Sequence, residues 1–323
     1  MSREGTILVT SRSFGSGTRD VVAALQDRGY DVVRGPADHA LDRLRPMLRE
    51  ALAWVAGTGP VTAAHLDSAP ALRVVARYGV GVDAVDLAAA AERAVLVTNT
   101  PGANSDAVAD HALALLLAVL RGVAHGDRMV RRGDWSVRRG HELGPLTVGI
   151  VGYGRIGRGL ARRLSGFGSR LLVHDPYVSE EDVQAAGARA ADPPAMAGES
   201  DVMSLHAPGG RTLVDADLLA LAKPGLVIVN TARADLVDEQ AVADALRSGA
   251  MAGYAADTLA AETSREPSPL LADDLADRVV VTPHLGAQTV EAVDRMGVAA
   301  TEDVLAVLSG LPPRHLVVPG EER

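Results

Sequence analysis

Cysteine is absent from the chain, which excludes disulfides, thiolate nucleophiles, iron–sulfur clusters and cysteine-based zinc sites together. Lysine is nearly absent: Lys223 stands alone among arginines, a bias that reads as genomic rather than functional. Positive charge is in deficit too, with 32 basic against 41 acidic residues and a formal net charge of −9. Without a basic block, such a chain is a poor partner for nucleic-acid backbones or anionic membranes. The N-terminal residues run straight into Ile7, Leu8 and Val9, with no apolar signal-peptide core. The most apolar helical stretch, Ala107–Leu120, is interrupted by Asp110 and His111 and is shorter than the ~20 residues of a membrane span. No two of the nine histidines have the H-x-x-x-H spacing of a helical metal site, and no metal is expected. Repeats with the period of solenoids or propellers are missing, as are low-complexity linkers. A cytoplasmic, soluble protein is the expectation.

What is present suggests two domains, since the chain has 323 residues and domains average ~150. Hydrophobic residues at 47% provide for two cores. Short apolar runs alternate with helical patterns. The strand-like runs are Ile7–Thr10, Tyr30–Val33, Trp54–Ala56, Arg73–Ala76, Val95–Thr98, Thr147–Val151, Arg170–His174, Val202–His206, Leu226–Asn230, Gly253–Asp257 and Val279–Thr282. Such alternation predicts α/β architecture with parallel sheets built from βαβ units. Two longer helical patterns, Asn104–Arg121 and one starting near Thr289 and reaching Leu308, flank the central stretch.

Glycine is plentiful, 33 residues, and three of them carry a motif. Gly152, Gly154 and Gly157 form G-x-G-x-x-G between the run Thr147–Val151 and a helical pattern through Ile156, Leu160 and Leu164. The bare pattern is weak, but its setting between strand and helix is specific. Gly152 allows a tight turn, Gly154 lets backbone approach a pyrophosphate, and Gly157 lets helix and strand pack closely. The helix N-terminus offers free N–H groups to the phosphates. A second strand-like run ends in Asp175, 18 residues past Gly157. Its carboxylate suits the ribose hydroxyls of NAD and repels a 2′-phosphate, and no arginine follows it. The cofactor expected is NAD.

Three polar residues follow three strand-like runs: Arg233 in Asn230–Arg233, Glu262 after Asp257, and His284 in Val281–Gly286. Residues in such places face ligands in parallel-sheet proteins, although spacing alone leaves open whether the three converge. Reducing a 2-keto acid needs a cation for the carboxylate, which arginine supplies in bidentate fashion. It also needs a general acid near neutral pH, which suits histidine, and a carboxylate beside that histidine favours its protonated form.

Taken together these residues resemble the D-isomer-specific 2-hydroxyacid dehydrogenases. The resemblance extends through Leu72–Asp83, Val97–Asn104, Val148–Gly157, Asn230–Arg233, Val237–Glu239, Gly253–Asp257 and Thr282–His284, in order, over nearly the whole chain. The segments Thr10–Phe14 and Gly79–Asp83 look most like the phosphoglycerate dehydrogenase branch. The resemblance implies two doubly wound domains. A Rossmann NAD-binding domain of residues 100–285 is inserted into a flavodoxin-like substrate domain made of 1–99 and 286–323. It implies Arg233 on the substrate carboxylate, His284 as proton donor, and Glu262 as its support. Along the cofactor it places Gly152, Gly154, Arg155, Ile156, Gly157, Asp175, His206, Ala207, Pro208, Thr212, Thr231, Ala232, Arg233, Asp257, His284 and Gly286. Around the substrate it places Arg77, Val80, Gly81, Asn104, Arg233 and His284, although Arg77 reads equally as a structural ion-pair residue. The implied partners are a small 2-hydroxy or 2-keto acid and a second copy of the chain in a homodimer.

The chain departs from the family pattern at several points. Ala234 stands where glycine usually follows the arginine, and Glu262 precedes Thr263 rather than proline. Glu266, followed by Pro267, competes with Glu262 as partner of the histidine, but Glu262 has the family's spacing from Asp257. Val108–His111 carries Asp110 for the usual glutamate, and the loop His206–Thr212 is one residue short. Two other functions share the fold: oxidation or reduction of an oxyanion substrate such as phosphite or phosphonopyruvate, and an NADH-sensing corepressor. The sequence ends a few residues after its last helical pattern, so feedback inhibition through an added regulatory domain is not expected.

Overall fold

The computed structural model describes residues 4–264 and 267–318. The chain divides into two compact units, Met1–Asn104 with Ala287–Arg323, and Ser105–Gly286. Each is built on one parallel sheet.

In the first unit the strands are β1 (Gly5–Val9), β2 (Tyr30–Arg34), β3 (Ala51–Ala56), β4 (Val74–Arg77) and β5 (Leu96–Thr98), ordered β2-β1-β3-β4-β5. This is the doubly wound, flavodoxin-like order. Ile7, Leu8, Trp54, Val55, Val74 and Val75 are wholly buried, because helices cover both faces of such a sheet and its strands read as apolar runs. The long helix Val290–Leu308 packs on β3 and β4, and Thr289 caps its start by accepting the N–H of Ala292. Where the strand order reverses, a buried polar network ties β1 to β3. Thr10 Oγ1 accepts from Trp54 Nε1 at 2.9 Å and from the N–H of Gly57 at 3.2 Å. Its own proton therefore goes to His39 Nε2 at 2.6 Å, while His39 Nδ1 donates to the Pro60 carbonyl at 3.0 Å. Burial pushes the His39 imidazole down to about 4, so the ring stays neutral.

In the second unit the strands are β6 (Thr147–Val151), β7 (Arg170–His174), β8 (Arg189–Ala190), β9 (Val202–Leu205), β10 (Leu226–Asn230), β11 (Met251–Ala256) and β12 (Val279–Val281). Their order is β12-β11-β10-β9-β6-β7-β8, every pairing parallel. The winding reverses between β6 and β9, which leaves a crevice at their carboxyl ends. One face of the sheet buries Leu205, Ile228, Leu246 and Tyr254, the other Leu116, Ile150, Leu160 and Val229. Helix Ser105–Arg121 lies on β10 and β11 and against helix Arg155–Ser165. A Cβ on Gly159 would come within 3.1 Å of the Ala109 Cβ, so glycine permits this close crossing. Among the described residues no single helix is long and apolar enough to cross a membrane. Only Ser105–Arg121 with Val123–Arg131, bent by 59° between them, passes by length and composition.

The division between units differs by a few residues from the boundaries expected at 99/100 and 285/286. Residues 99–104 stay with the first unit because Asn99 N–H bonds the His315 carbonyl and Thr100 N–H the Gly79 carbonyl. Gly286 stays with the second because its N–H donates to Asp257 at 2.7 Å. Most strand-like runs differ from the observed strands by one residue or so at an end; β3 begins three residues earlier than expected, at Ala51.

Candidate active site

The glycine motif occupies the crevice between β6 and β9. Gly152 has φ +92°, and a Cβ there would lie 2.6 Å from the carbonyl carbon of His206. Only glycine lets the turn leave β6 in this conformation and press on the His206–Ala207 backbone. Gly157 is pinned differently, since its Cβ would sit 2.1 Å from the Gly152 carbonyl oxygen. Gly154, at the start of helix Arg155–Ser165, has nothing within 4 Å of its Cβ position. The space before that helix N-terminus is therefore open, as backbone approach by a diphosphate requires. Arg155 is exposed and Ile156 half-buried at the helix start.

Asp175 follows β7 and faces the same turn. Its Oδ2 accepts the N–H of Tyr153 at 2.7 Å and its Oδ1 that of Tyr177 at 2.9 Å. A carboxylate has about four lone-pair sites, so both oxygens can still accept a ribose hydroxyl. His206 follows β9, with Nε2 2.9 Å from Ser204 Oγ. Burial pushes its imidazole down to about 4, so it is neutral at pH 7. Ala207 is half-buried, and Pro208 and Thr212 are exposed on the loop beyond.

Arg233 is set by Asn230, which ends β10 and is fully buried. The Asn230 amide donates to the Arg233 carbonyl at 2.8 Å and accepts the Ala232 N–H at 3.0 Å. That clasp bends Thr231, Ala232 and Arg233 over the strand end, where all three are half-buried.

His284 lies on a tight turn after β12 and has φ +53°, a conformation that costs a non-glycine residue of order 1 kcal/mol or more. Asp257, just beyond β11 and buried, holds the turn. Its Oδ1 accepts from Thr282 Oγ1 at 2.5 Å and from the Leu285 N–H at 2.9 Å, and its Oδ2 from the Gly286 N–H at 2.7 Å. His111 Nε2 stands 2.9 Å from Thr282 Oγ1 and 3.3 Å from Asp257 Oδ1. Because the Thr282 proton is committed to Asp257, that imidazole nitrogen must be the donor. Burial would raise the Asp257 carboxyl, but hydrogen bonds from His111, Thr282, Leu285 and Gly286 hold it below the usual carboxylate range.

So placed, His284 turns Nδ1 to Glu262, 3.0 Å from both carboxylate oxygens. The pair is partly open, with side chains 44% and 39% exposed, which leaves Nε2 to face a ligand. The Glu262 hydrogen bond raises the imidazole above its ordinary value, against burial and the nearby positive charge of Arg233. Glu262, Asp257 and Arg233 thus all act on His284 at one edge of one sheet. Glu266 lies outside the described residues.

The remaining expected residues belong to the first unit. Arg77 ends β4 and its Nη1 donates to the Tyr78 carbonyl at 2.8 Å. Val80 is 39% exposed, and no backbone hydrogen bond among the described residues uses the N–H of Val80 or Gly81. Asn104 Oδ1 is buried without a partner among the described residues. Asn230, Thr282 and His111 stand in segments quoted for the resemblance but were given no role of their own there. Each acts through a tertiary contact.

The dependence of His284 on Glu262 has a consequence in pH. The His284 proton is held below the raised pKa and lost as pH rises through it, so a reaction that draws on that proton falls over the same range. Glu262→Gln removes the cause of the elevation, and the falling limb moves to lower pH. The pH profile of kcat/KM checks this; an unmoved limb would break the pairing.

Comparison with known proteins identifies the family. Residues 113–286, more than half of the chain, match the NAD binding domain of the D-isomer specific 2-hydroxyacid dehydrogenases. The chain belongs to this family. A D-3-phosphoglycerate dehydrogenase of Mycobacterium leprae is 44% identical over 255 residues, 77% of this chain and 48% of that protein. The chain therefore spans about half the length of that relative. A glyoxylate reductase of Thermococcus litoralis is 36% identical over 266 residues, 78% of each. Among solved structures, an NADPH-dependent glyoxylate/hydroxypyruvate reductase of Sinorhizobium meliloti superposes with a TM-score of 0.82 at 30% identity, covering 98% of this chain and 97% of that one.

Proposed function

We propose that the protein is an NAD-dependent oxidoreductase that interconverts a small D-2-hydroxy acid and its 2-keto acid. The observation that carries this reading is His284 held on Glu262 by both carboxylate oxygens at 3.0 Å, with Arg233 beside it on the sheet edge that carries the glycine turn. Gly152, Gly154, Gly157 and the start of helix Arg155–Ser165 would hold the diphosphate, and Asp175 the adenine ribose. The neighbour from Sinorhizobium is NADPH-dependent; here the Asp175 carboxylate, with Pro176 next to it, opposes a 2′-phosphate.

When bound, reduced NAD supplies a hydride to C2 of the keto acid. The Arg233 guanidinium takes the substrate carboxylate, a planar bidentate match, and its charge polarises the adjacent carbonyl. His284 delivers the proton from Nε2 to the carbonyl oxygen, while Nδ1–H stays on Glu262, which steadies the ring and its charge. In the reverse direction neutral His284 accepts that proton. Val80 and Gly81 offer backbone N–H groups of the kind that bind a carboxylate.

The relatives bear on substrate class: a D-3-phosphoglycerate dehydrogenase and a glyoxylate reductase are both similar over more than three quarters of this chain. Loss of NADH absorbance should therefore follow addition of phosphohydroxypyruvate, hydroxypyruvate or glyoxylate, with pyruvate and phosphonopyruvate as comparisons. Silence with all five would overturn the enzymatic reading and favour a dinucleotide-sensing role.

A further inference from the structure

The loop after β9, His206–Thr212, carries the pair Gly209 and Gly210, and Asp235 stands two positions beyond Arg233. The structure joins the two. Asp235 Oδ2 accepts the N–H of Gly210 at 2.7 Å. Gly210 has φ +98°, and a Cβ on Gly209 would lie 2.6 Å from Asp235 Oδ1. The carboxylate thus fits against a pair of glycines, one needed for its backbone angle and the other for lack of a side chain. Beyond the turn the chain is tied to the same segment. Leu213 and Val214 N–H groups both bond the Leu236 carbonyl, and Asp238 N–H bonds that of Val214. At its other end the loop rests on Gly152 through His206 and Ala207.

We propose that Asp235 is a positioning residue that clamps the loop Pro208–Arg211 at the dinucleotide crevice and couples it to the segment bearing Arg233. The proposal rests on the NAD reading above. One charged acceptor holds the tip N–H of this glycine pair, and charge-assisted bonds of this kind are the stronger ones. Freed from it, the tip with its two glycines samples many backbone states, and ligand binding must then order it again.

Arg211, exposed on this loop, provides a readout that needs no cofactor. Trypsin cleavage after Arg211 in the full chain, followed by mass spectrometry, should accelerate in Asp235→Ala. Binding of NADH, read by its fluorescence, should weaken by roughly 10- to 150-fold, the scale of one hydrogen bond to a charged group. Asp235→Asn keeps an acceptor oxygen without the charge and should restore part of both, falling between the unaltered chain and Asp235→Ala. Unchanged cleavage in Asp235→Ala would overturn the clamp. Faster cleavage with unchanged NADH affinity would overturn its role toward the cofactor. Failure of the unaltered chain to bind NADH would overturn the reading beneath, while the cleavage arm still judges the clamp.

Discussion

Replacing His284 with asparagine should lower kcat for the proposed keto-acid reduction by roughly 100- to 10,000-fold, the range for loss of a positioned general acid. Asparagine is close to histidine in size and keeps an amide that can face Glu262, so the turn is retained. What it cannot do is give a proton to a forming alkoxide at neutral pH. The geometry makes the change selective. The glycine turn, Asp175 and His206 stand on the carboxyl ends of β6, β7 and β9, whereas His284 follows β12, at the far end of the strand order. NADH affinity should therefore stay within about threefold, read by fluorescence, while turnover collapses. A variant with ordinary turnover would remove His284 from the chemistry.

A second large effect comes from a single methyl group. Gly157→Ala puts a carbon 2.1 Å from the Gly152 carbonyl oxygen, a backbone atom with no room to retreat. The turn must open, and overpacking of this kind costs about 1–3 kcal/mol. For a unit of 182 residues, Ser105–Gly286, that is a fall in Tm of roughly 2–12 °C. The same shift displaces the N–H groups facing the diphosphate, and NADH binding should drop by about 100-fold or more, close to 3 kcal/mol. Gly154→Ala separates the two effects. Its Cβ meets nothing within 4 Å, so stability is kept, but the methyl intrudes on the space the cofactor needs. Calorimetry and fluorescence titration of both variants check the contrast; equal losses of Tm would contradict it.

The parts of this fold that were legible in sequence are those where burial is uniform. Thr147–Val151, Arg170–His174 and Leu226–Asn230 are strands over the residues expected, because parallel strands covered on both faces read as unbroken apolar runs. At Ala51, alanines begin β3 without a strand signature and are claimed by tertiary pairing. Arg189–Ala190 pairs with β7 over two residues, too few for any pattern. Helix Val123–Arg131 is set off from its predecessor by Gly122 at φ +60°, a backbone choice invisible in hydrophobic period.

The site divides in the same way. The glycine turn was readable because each glycine answers a local steric demand. His284 and Arg233 were readable because chemistry asks for an acid and a cation at strand ends. Their convergence with Glu262 was left open by spacing and came only from the resemblance, since it depends on three loops meeting. The work of Asp257 was not readable. The resemblance assigned it to the cofactor, and the structure adds that its carboxylate gathers Thr282, Leu285, Gly286 and His111 into the turn beneath His284. Such roles arise from contacts between residues distant in sequence, as His111 and Thr282 illustrate.

The most direct measurement follows hydrogen from cofactor to substrate. The protein is incubated in ordinary water with NADH deuterated at C4 and whichever keto acid it turns over, and the product is analysed by mass and chirality. Hydride transfer to C2 with a proton delivered by His284 predicts a D-2-hydroxy acid carrying deuterium at C2 and ordinary hydrogen on its oxygen. A product of L configuration, or one without deuterium at C2, would contradict the assignment.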